Sequence, residues 1–161
     1  MFSFFKKKEN KFVLGSPVKG KGVPLSEVGD PTFAEELLGK GMAVIPSEGK
    51  IYAPADGEVG MVFDTLHAVS MTAADSGAEI LIHVGIDTVQ MKGEGFTGHV
   101  KAGDQVKKGQ LLLEVDLEKV KAAGYDTVTP MLVCNTPDYA SVEGITGSDV
   151  DPGDDAVVIQ K

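Results

Sequence analysis

Glu79-Ile80-Leu81-Ile82-His83-Val84-Gly85 is the stretch on which the fold class turns. Successive side chains of an extended strand point to opposite faces. Ile80, Ile82 and Val84 therefore share one face, and Leu81, His83 and Gly85 share the other. One face is suited to a core, and the other carries a single imidazole beside an apolar residue and a glycine. Similar β-branched or alternating runs recur from about Phe12 onward, divided by Gly, Pro and Asp, with hardly any sustained helical periodicity. Strands are expected at Met42 to Ile45, Lys50 to Tyr52, Glu58 to Phe63, Ala68 to Met71, Glu79 to Val84, Leu111 to Val115, Met131 to Cys134 and Ala156 to Ile159. Helical turns are expected at Phe33 to Leu38 and Leu117 to Ala123. The pattern is all-β: a compact antiparallel β-sandwich or flattened barrel with short helical turns.

The punctuation between these runs supports that reading. Ser16-Pro17-Val18-Lys19-Gly20 and Ala53-Pro54-Ala55-Asp56-Gly57 share a Pro-x-x-Gly core, which points to a repeated hairpin unit. Val100-Lys101-Ala102-Gly103-Asp104-Gln105-Val106-Lys107-Lys108-Gly109-Gln110 places Gly where tight turns between strands need positive φ.

The chain has 161 residues, enough for one domain with its own core, and nothing requires a second. Asp and Glu outnumber Lys and Arg by 24 to 15. The resulting charge of -9 opposes binding to nucleic acid and suits a basic protein partner. The single cysteine, Cys134, lies in an apolar run and reads as core; alone it makes no intramolecular disulfide, so a cytoplasmic location is expected. Residues 1–15 read as a flexible N-terminal tail and residues 16–161 as the folded domain. In Met1-Phe2-Ser3-Phe4-Phe5-Lys6-Lys7-Lys8 the charge lies on the wrong side for a secretory signal, and contact with a membrane is peripheral at most.

The three histidines are His67, His83 and His99. A solitary imidazole in a strand is ordinarily a hydrogen-bonded structural residue, but the surroundings of His83 differ. Gly85 leaves space beside the ring, Thr65 and His67 bring a hydroxyl and a second imidazole in one short segment, and Asp87 follows in Ile86-Asp87-Thr88-Val89. A neutral ring nitrogen with a set tautomer is a nucleophile near neutral pH. Phosphoryl transfer then needs hydrogen-bond donors aimed at three phosphoryl oxygens more than it needs a strong base, and His67 and Thr65 are candidates. Taken alone, Thr65 reads as a turn residue, Asp87 as a turn cap or solvated charge, and Phe33, Leu38, Phe63 and Val89 as ordinary apolar residues. His99, in Phe96-Thr97-Gly98-His99-Val100, reads as a surface strand residue.

The run Glu79 to Val89, followed by Lys92-Gly93-Glu94-Gly95-Phe96, closely resembles the signature of glucose-type enzyme IIA, the phosphocarrier of the bacterial phosphoenolpyruvate:sugar phosphotransferase system. The resemblance runs from about Ser16 to Lys161 and includes Asp30, Phe33, Gly39, Gly41, Ala53-Pro54, Asp56-Gly57, Thr65, His67, Gly103-Asp104 and Thr129-Pro130. It implies a phosphotransferase component that works through a phosphohistidine. His83 would accept the phosphoryl group from the histidine-containing phosphocarrier protein and pass it to a cysteine of an enzyme IIB/IIC sugar permease. It further implies that His67 stabilises the phosphoryl group and Thr65 holds His67. Asp30 and Asp87 would meet basic side chains of the donor, and Phe33, Leu38, Phe63, Leu81, Gly85 and Val89 would belong to the partner-binding surface. No cofactor is required; His67 and His83 could share a zinc ion if a partner supplied a further ligand. Some relatives also regulate other transporters or kinases. Thr32 and Leu81 stand where some relatives carry a larger apolar or aromatic residue, which bears on partner choice and not on the chemistry.

Two other classes compete. The Pro-x-x-Gly segments and Gly103 to Gln110 resemble hairpins of biotinyl or lipoyl carrier modules, but these display a modifiable Lys at a β-turn, commonly flanked by Met, and no such Lys is found. A zinc hydrolase built on His67, His83 and His99 would have three ligands and an open position. The equal spacing of these histidines matches no zinc motif, and in sequence His99 has no carboxylate neighbour to act as base.

Overall fold

The structure is a computed structural model that describes residues 10–161. Among the described residues, fourteen strands, all paired antiparallel, form three sheets. The large sheet holds β2 (Gly20–Val23), β3 (Lys40–Pro46), β5 (Gly57–Val62), β6 (Ala68–Ala73), β7 (Glu79–His83), β9 (Gln105–Val106), β11 (Thr129–Val133) and β13 (Asp149–Val150). Their order across the sheet is β13-β2-β3-β11-β7-β6-β5-β9. The two smaller sheets are β1 (Lys11–Gly15), β14 (Asp155–Gln160) and β12 (Ser141–Gly144), and β4 (Lys50–Tyr52), β10 (Leu111–Val115) and β8 (Phe96–Gly98). No sheet closes into a barrel, so the sandwich half of the expectation holds.

One apolar cluster joins the three sheets. Ile80, Ile82, Met131 and Met42 reach it from the large sheet, Leu14 and Ile159 from the second, and Ile51 and Leu113 from the third. Period two then places a smaller cluster on the opposite face of the large sheet, where Ala43 and Leu132 pack with Leu25, Val28, Phe33, Ile86 and Val128. Leu81 packs against this second cluster, so β7 divides its faces as the sequence predicts.

Two boundaries differ from expectation. Lys11–Gly15 is not tail: β1 pairs with β14, placing Phe12 opposite Ile159 and Val13 opposite Val158, and Leu14 is buried. The pairing partner lies at the far end of the chain, beyond the reach of any local pattern. The remainder of the expected tail, with its Phe and Lys residues, falls within 1–9, outside the described residues. The first helical turn is α1 (Pro31–Ala34), shorter than expected; Asp30 caps it by accepting the Thr32 N–H at 2.9 Å. Glu36 at φ 58 turns the chain away before Leu38 can extend the helix. The second is α2 (Leu117–Ala122), capped by Asp116.

The Pro-x-x-Gly segments do form a repeated unit. Each leads into a strand of the large sheet, β2 or β5, and the two face one another: Tyr52 N–H donates to the Pro17 carbonyl at 2.7 Å, and Gly15 N–H to that of Pro54 at 2.9 Å. Gly103 and Gly109 take the positive φ expected of them, at 92° and 88°.

Candidate active site

Strand pairing brings the two sequence-selected histidines together. β6 and β7 are antiparallel neighbours with Ala68 opposite His83, and the Val84 N–H donates to the His67 carbonyl at 2.6 Å. The segment Phe63 to Leu66 is a tight turn in which Leu66 N–H donates to the Phe63 carbonyl, and Leu66 takes φ 58, an uncommon conformation for a leucine. That turn delivers His67 edge-on to His83, with ring centroids 4.9 Å apart and planes at 78°. Phe33 lies against His83 at 5.0 Å and Phe63 against His67 at 5.3 Å, so four rings stand in a row.

The hydrogen bond of His83 sets its tautomer, and that of His67 is compatible with the complementary one. His83 Nδ1 lies 2.7 Å from the Gly85 carbonyl. A carbonyl oxygen only accepts, so Nδ1 carries the proton of the neutral ring and Nε2 carries the lone pair. His67 Nδ1 makes a short hydrogen bond to Thr65 Oγ1. With the hydroxyl as donor, the His67 proton sits on Nε2, the complement of His83.

Burial keeps both rings neutral. His83 has its pKa lowered by desolvation, opposed by the bond to Gly85 and by the charges of Asp30 and Asp87. His67 falls from 6.5 to about 4, through desolvation and then the neighbouring His83. Asp87 has no capping hydrogen bond although its 3-10 turn (Thr88–Met91) begins beside it, so its exposed carboxylate is free to act through charge.

Several expected surface residues sit elsewhere. Phe33 is only 4% exposed and lies beneath His83 instead of on a rim. Gly85 is buried too: a Cβ there would meet the Thr88 methyl at 2.5 Å and the Asp126 carbonyl at 2.8 Å. The expected space beside the ring is thus already filled, and Gly85 contributes its carbonyl. Leu81 is half-buried, whereas Phe63, Val89 and Leu38 are exposed. Leu38 lines a cleft of about 380 Å³ with Cys134 and Tyr139. Cys134 lies just past β11 and is exposed, not core; desolvation and the Glu79 charge raise its pKa, which makes it a poor nucleophile. Sequence reasoning missed Leu66, Thr88, Asp126 and Val128. Their parts depend on backbone geometry, and only the proximity of Thr88 to Gly85 in the chain is visible beforehand.

Two features bear on the competing classes. His99 is indeed on the surface just past β8, but it does have a carboxylate partner, Glu114, at 3.1 Å across the β8–β10 pair, and it does not join the other histidines. Among the described residues no group of three His, Cys, Asp or Glu is placed to hold a metal ion. His67 and His83 are imidazoles, a residue type that binds zinc, but two ligands fall short of a zinc site, so the chain by itself does not fit a resident zinc. Met91-Lys92 sets a Lys beside a Met after all, but at the end of a 3-10 turn and not at a hairpin tip.

The family model for the phosphoenolpyruvate-dependent sugar phosphotransferase system, EIIA 1, matches residues 12–139. The chain is 39% identical over 158 residues to a glucose-specific EIIA component of Oceanobacillus iheyensis, covering 98% of this chain and 95% of that one. It is 49% identical over 138 residues to a β-glucoside-specific EIIBCA component of Dickeya chrysanthemi, covering 86% of this chain and 22% of that one. It therefore spans about a fifth of the length of such multipart relatives. Among solved structures, glucose permease IIA from Mycoplasma capricolum superposes with a TM-score of 0.85 at 32% identity, covering 92% of this chain and 95% of that one. A match of this extent, with the paired imidazoles in their ladder, means that the chain belongs to the EIIA 1 family of the phosphoenolpyruvate-dependent sugar phosphotransferase system.

Proposed function

We propose that the chain relays a phosphoryl group on His83 Nε2, from the histidine-containing phosphocarrier protein to a cysteine of an enzyme IIB domain during sugar uptake. The observation that carries this reading is the Nδ1–H bond from His83 to the Gly85 carbonyl, which leaves Nε2 as the nucleophile of a neutral ring. In the accepting step the Nε2 lone pair forms a bond to phosphorus while the donor's P–N bond breaks and its electron pair returns to the donor ring. His83 keeps its Nδ1 proton on Gly85. In the donating step a thiolate sulfur attacks phosphorus, and the pair of the broken P–N bond returns to Nε2.

His67 supports the transfer as a donor. With the Thr65 hydroxyl donating to Nδ1, the His67 Nε2–H would donate to the phosphoryl oxygens, where negative charge gathers during transfer. Asp30 and Asp87 offer negative charge near His83 to a basic donor surface, with exposed Phe63 and Val89 as apolar contacts. The EIIBCA relatives combine the three parts in one chain, which supports IIB as the acceptor. No helix among the described residues is long and apolar enough to cross a membrane. If zinc is held at all, His67 and His83 contribute two nitrogen ligands and a partner the rest.

Incubation with phosphoenolpyruvate, enzyme I and the phosphocarrier protein should add one acid-labile, base-stable phosphoryl group. His83→Ala should abolish it while the fold persists. Labelling that survives in this variant would remove the proposal.

A further inference from the structure

The carbonyl that selects the His83 tautomer belongs to a glycine at φ 80, a conformation open to crankshaft rotation unless the neighbouring peptides are held. They are held at both ends. The Val84–Gly85 peptide accepts at its carbonyl from Thr88 Oγ1 at 2.6 Å, and its N–H donates to the Val128 carbonyl at 3.0 Å. The Gly85–Ile86 peptide accepts from His83 Nδ1 at 2.7 Å, and its N–H donates to the Asp126 carbonyl at 3.0 Å. Asp126 Oδ1 in turn accepts the Val128 N–H at 2.9 Å, which stiffens the loop that receives both bonds.

Among the described residues, Thr88 is the one side chain besides His83 that grips these two peptides, and it is fully buried. Its hydroxyl is not used to cap the 3-10 turn, and its methyl occupies the place a Gly85 Cβ would take. Apart from His83 itself, the other grips come from backbone and survive substitution. Without the hydroxyl, the Val84 carbonyl is buried with a lost partner and the first peptide is anchored at one end only. The Gly85 carbonyl is then free to swing away from Nδ1, and the ring proton can move to Nε2, where it blocks the nucleophile.

We propose that Thr88 is a positioning residue for phosphoryl transfer, holding the Val84–Gly85 peptide so that the Gly85 carbonyl keeps His83 in its Nδ1–H tautomer. The inference rests on the reading of His83 as phosphoryl acceptor, but its main readout does not require transfer. Two-bond ¹H–¹⁵N spectra of histidine-labelled protein near neutral pH should show in wild type a protonated Nδ1 and an unprotonated Nε2 at His83. Thr88→Val preserves shape and removes the hydroxyl; both nitrogen shifts should move toward their mean, and phosphoryl acceptance should slow by at least about fivefold, the equivalent of one neutral hydrogen bond. Thr88→Ser should restore the wild-type pattern and rate. If Thr88→Val does not fold, Thr88→Cys, a weaker donor of similar bulk, should give an intermediate tautomer shift. An unchanged tautomer in the folded Val variant, or in the Cys variant that replaces it, overturns the proposal, even if the rate falls. Failure of wild type to take up phosphate would instead sink the phosphocarrier reading and leave the tautomer result standing.

Discussion

His83 Nδ1 donates to the carbonyl of Gly85, two residues along the same chain, at 2.7 Å. The imidazole and its orienting acceptor thus come from one strand end, and the tautomer of the ring depends on the path of the backbone between them. The partner histidine is separated from it in sequence but adjacent across the β6–β7 ladder. Each element of this arrangement can be disturbed separately.

Gly85→Ala should be more damaging than an ordinary glycine substitution. The residue sits at φ 80, and its new methyl would meet Thr88 and the Asp126 carbonyl well inside contact distance. A loss of roughly 2 kcal/mol or more is expected from backbone strain and crowding together. Chemical denaturation should show the lower stability, and folded variant should accept phosphate slowly. A variant as stable as wild type would mean that this turn is softer than its hydrogen bonds imply.

His67→Gln should separate the two halves of the relay. An amide keeps a hydrogen-bond donor for the phosphoryl oxygens but cannot take up positive charge as the bond to His83 loosens. Acceptance should persist, whereas donation should fall by about 10² to 10³, the scale of one lost charge-stabilising interaction. Single-turnover transfer from labelled variant to a purified IIB domain measures it. Normal donation would assign His67 a structural role.

Asp30→Asn with Asp87→Asn removes two charges while leaving an oxygen at position 30 to accept the Thr32 N–H of the α1 cap. The second-order rate of phosphorylation by the basic donor should fall several-fold at low ionic strength, and added salt should narrow the difference. The same double substitution also removes the two charges that raise the His83 pKa. Its pKa, followed by NMR titration, should fall further below wild type. An unchanged encounter rate at low salt would contradict the acidic role.

Stability should fall as the solution becomes acidic. His67 is held at about 4 in the fold against an ordinary 6.5, and His83 is lowered as well. Between these values the unfolded chain binds more protons than the folded one, so the stability present above about pH 6.5 is lost as pH drops toward 4. The His67 contribution is at most about 3 kcal/mol. Denaturation midpoints from pH 7 to pH 4 should fall less steeply for His67→Gln than for wild type; identical slopes would show that His67 is not protonated on unfolding in this range.

Much of this was legible in the order of residues. The alternation of Glu79 to Val84 placed Ile80 and Ile82 inward and His83 outward because a strand has period two, and β4 and β10 have the ends their composition predicts. β1, β2, β8, β9, β12 and β13 were not foreseen. They are short, rich in glycine or polar residues, or stabilised by partners far away in the chain, as β1 is by β14. Cys134 follows an apolar run and was read as core for that reason, yet the strand ends one residue earlier and leaves it in solvent.

The sequence alone pointed to the chemical type of the site: an imidazole in a two-faced strand, a second imidazole after a hydroxyl, and acidic neighbours; it also took Gly85 for open space, where the structure instead uses the glycine's carbonyl. The first three features follow from side-chain chemistry and strand periodicity, which are local. Which ring nitrogen is free, why Phe33 lies beneath His83, and how Thr88 and the 126–128 loop hold the Gly85 carbonyl were decided only by the tertiary structure. The reason is physical: a tautomer is set by the direction of a single carbonyl, and that direction is fixed by hydrogen bonds between segments about 40 residues apart that no local propensity encodes.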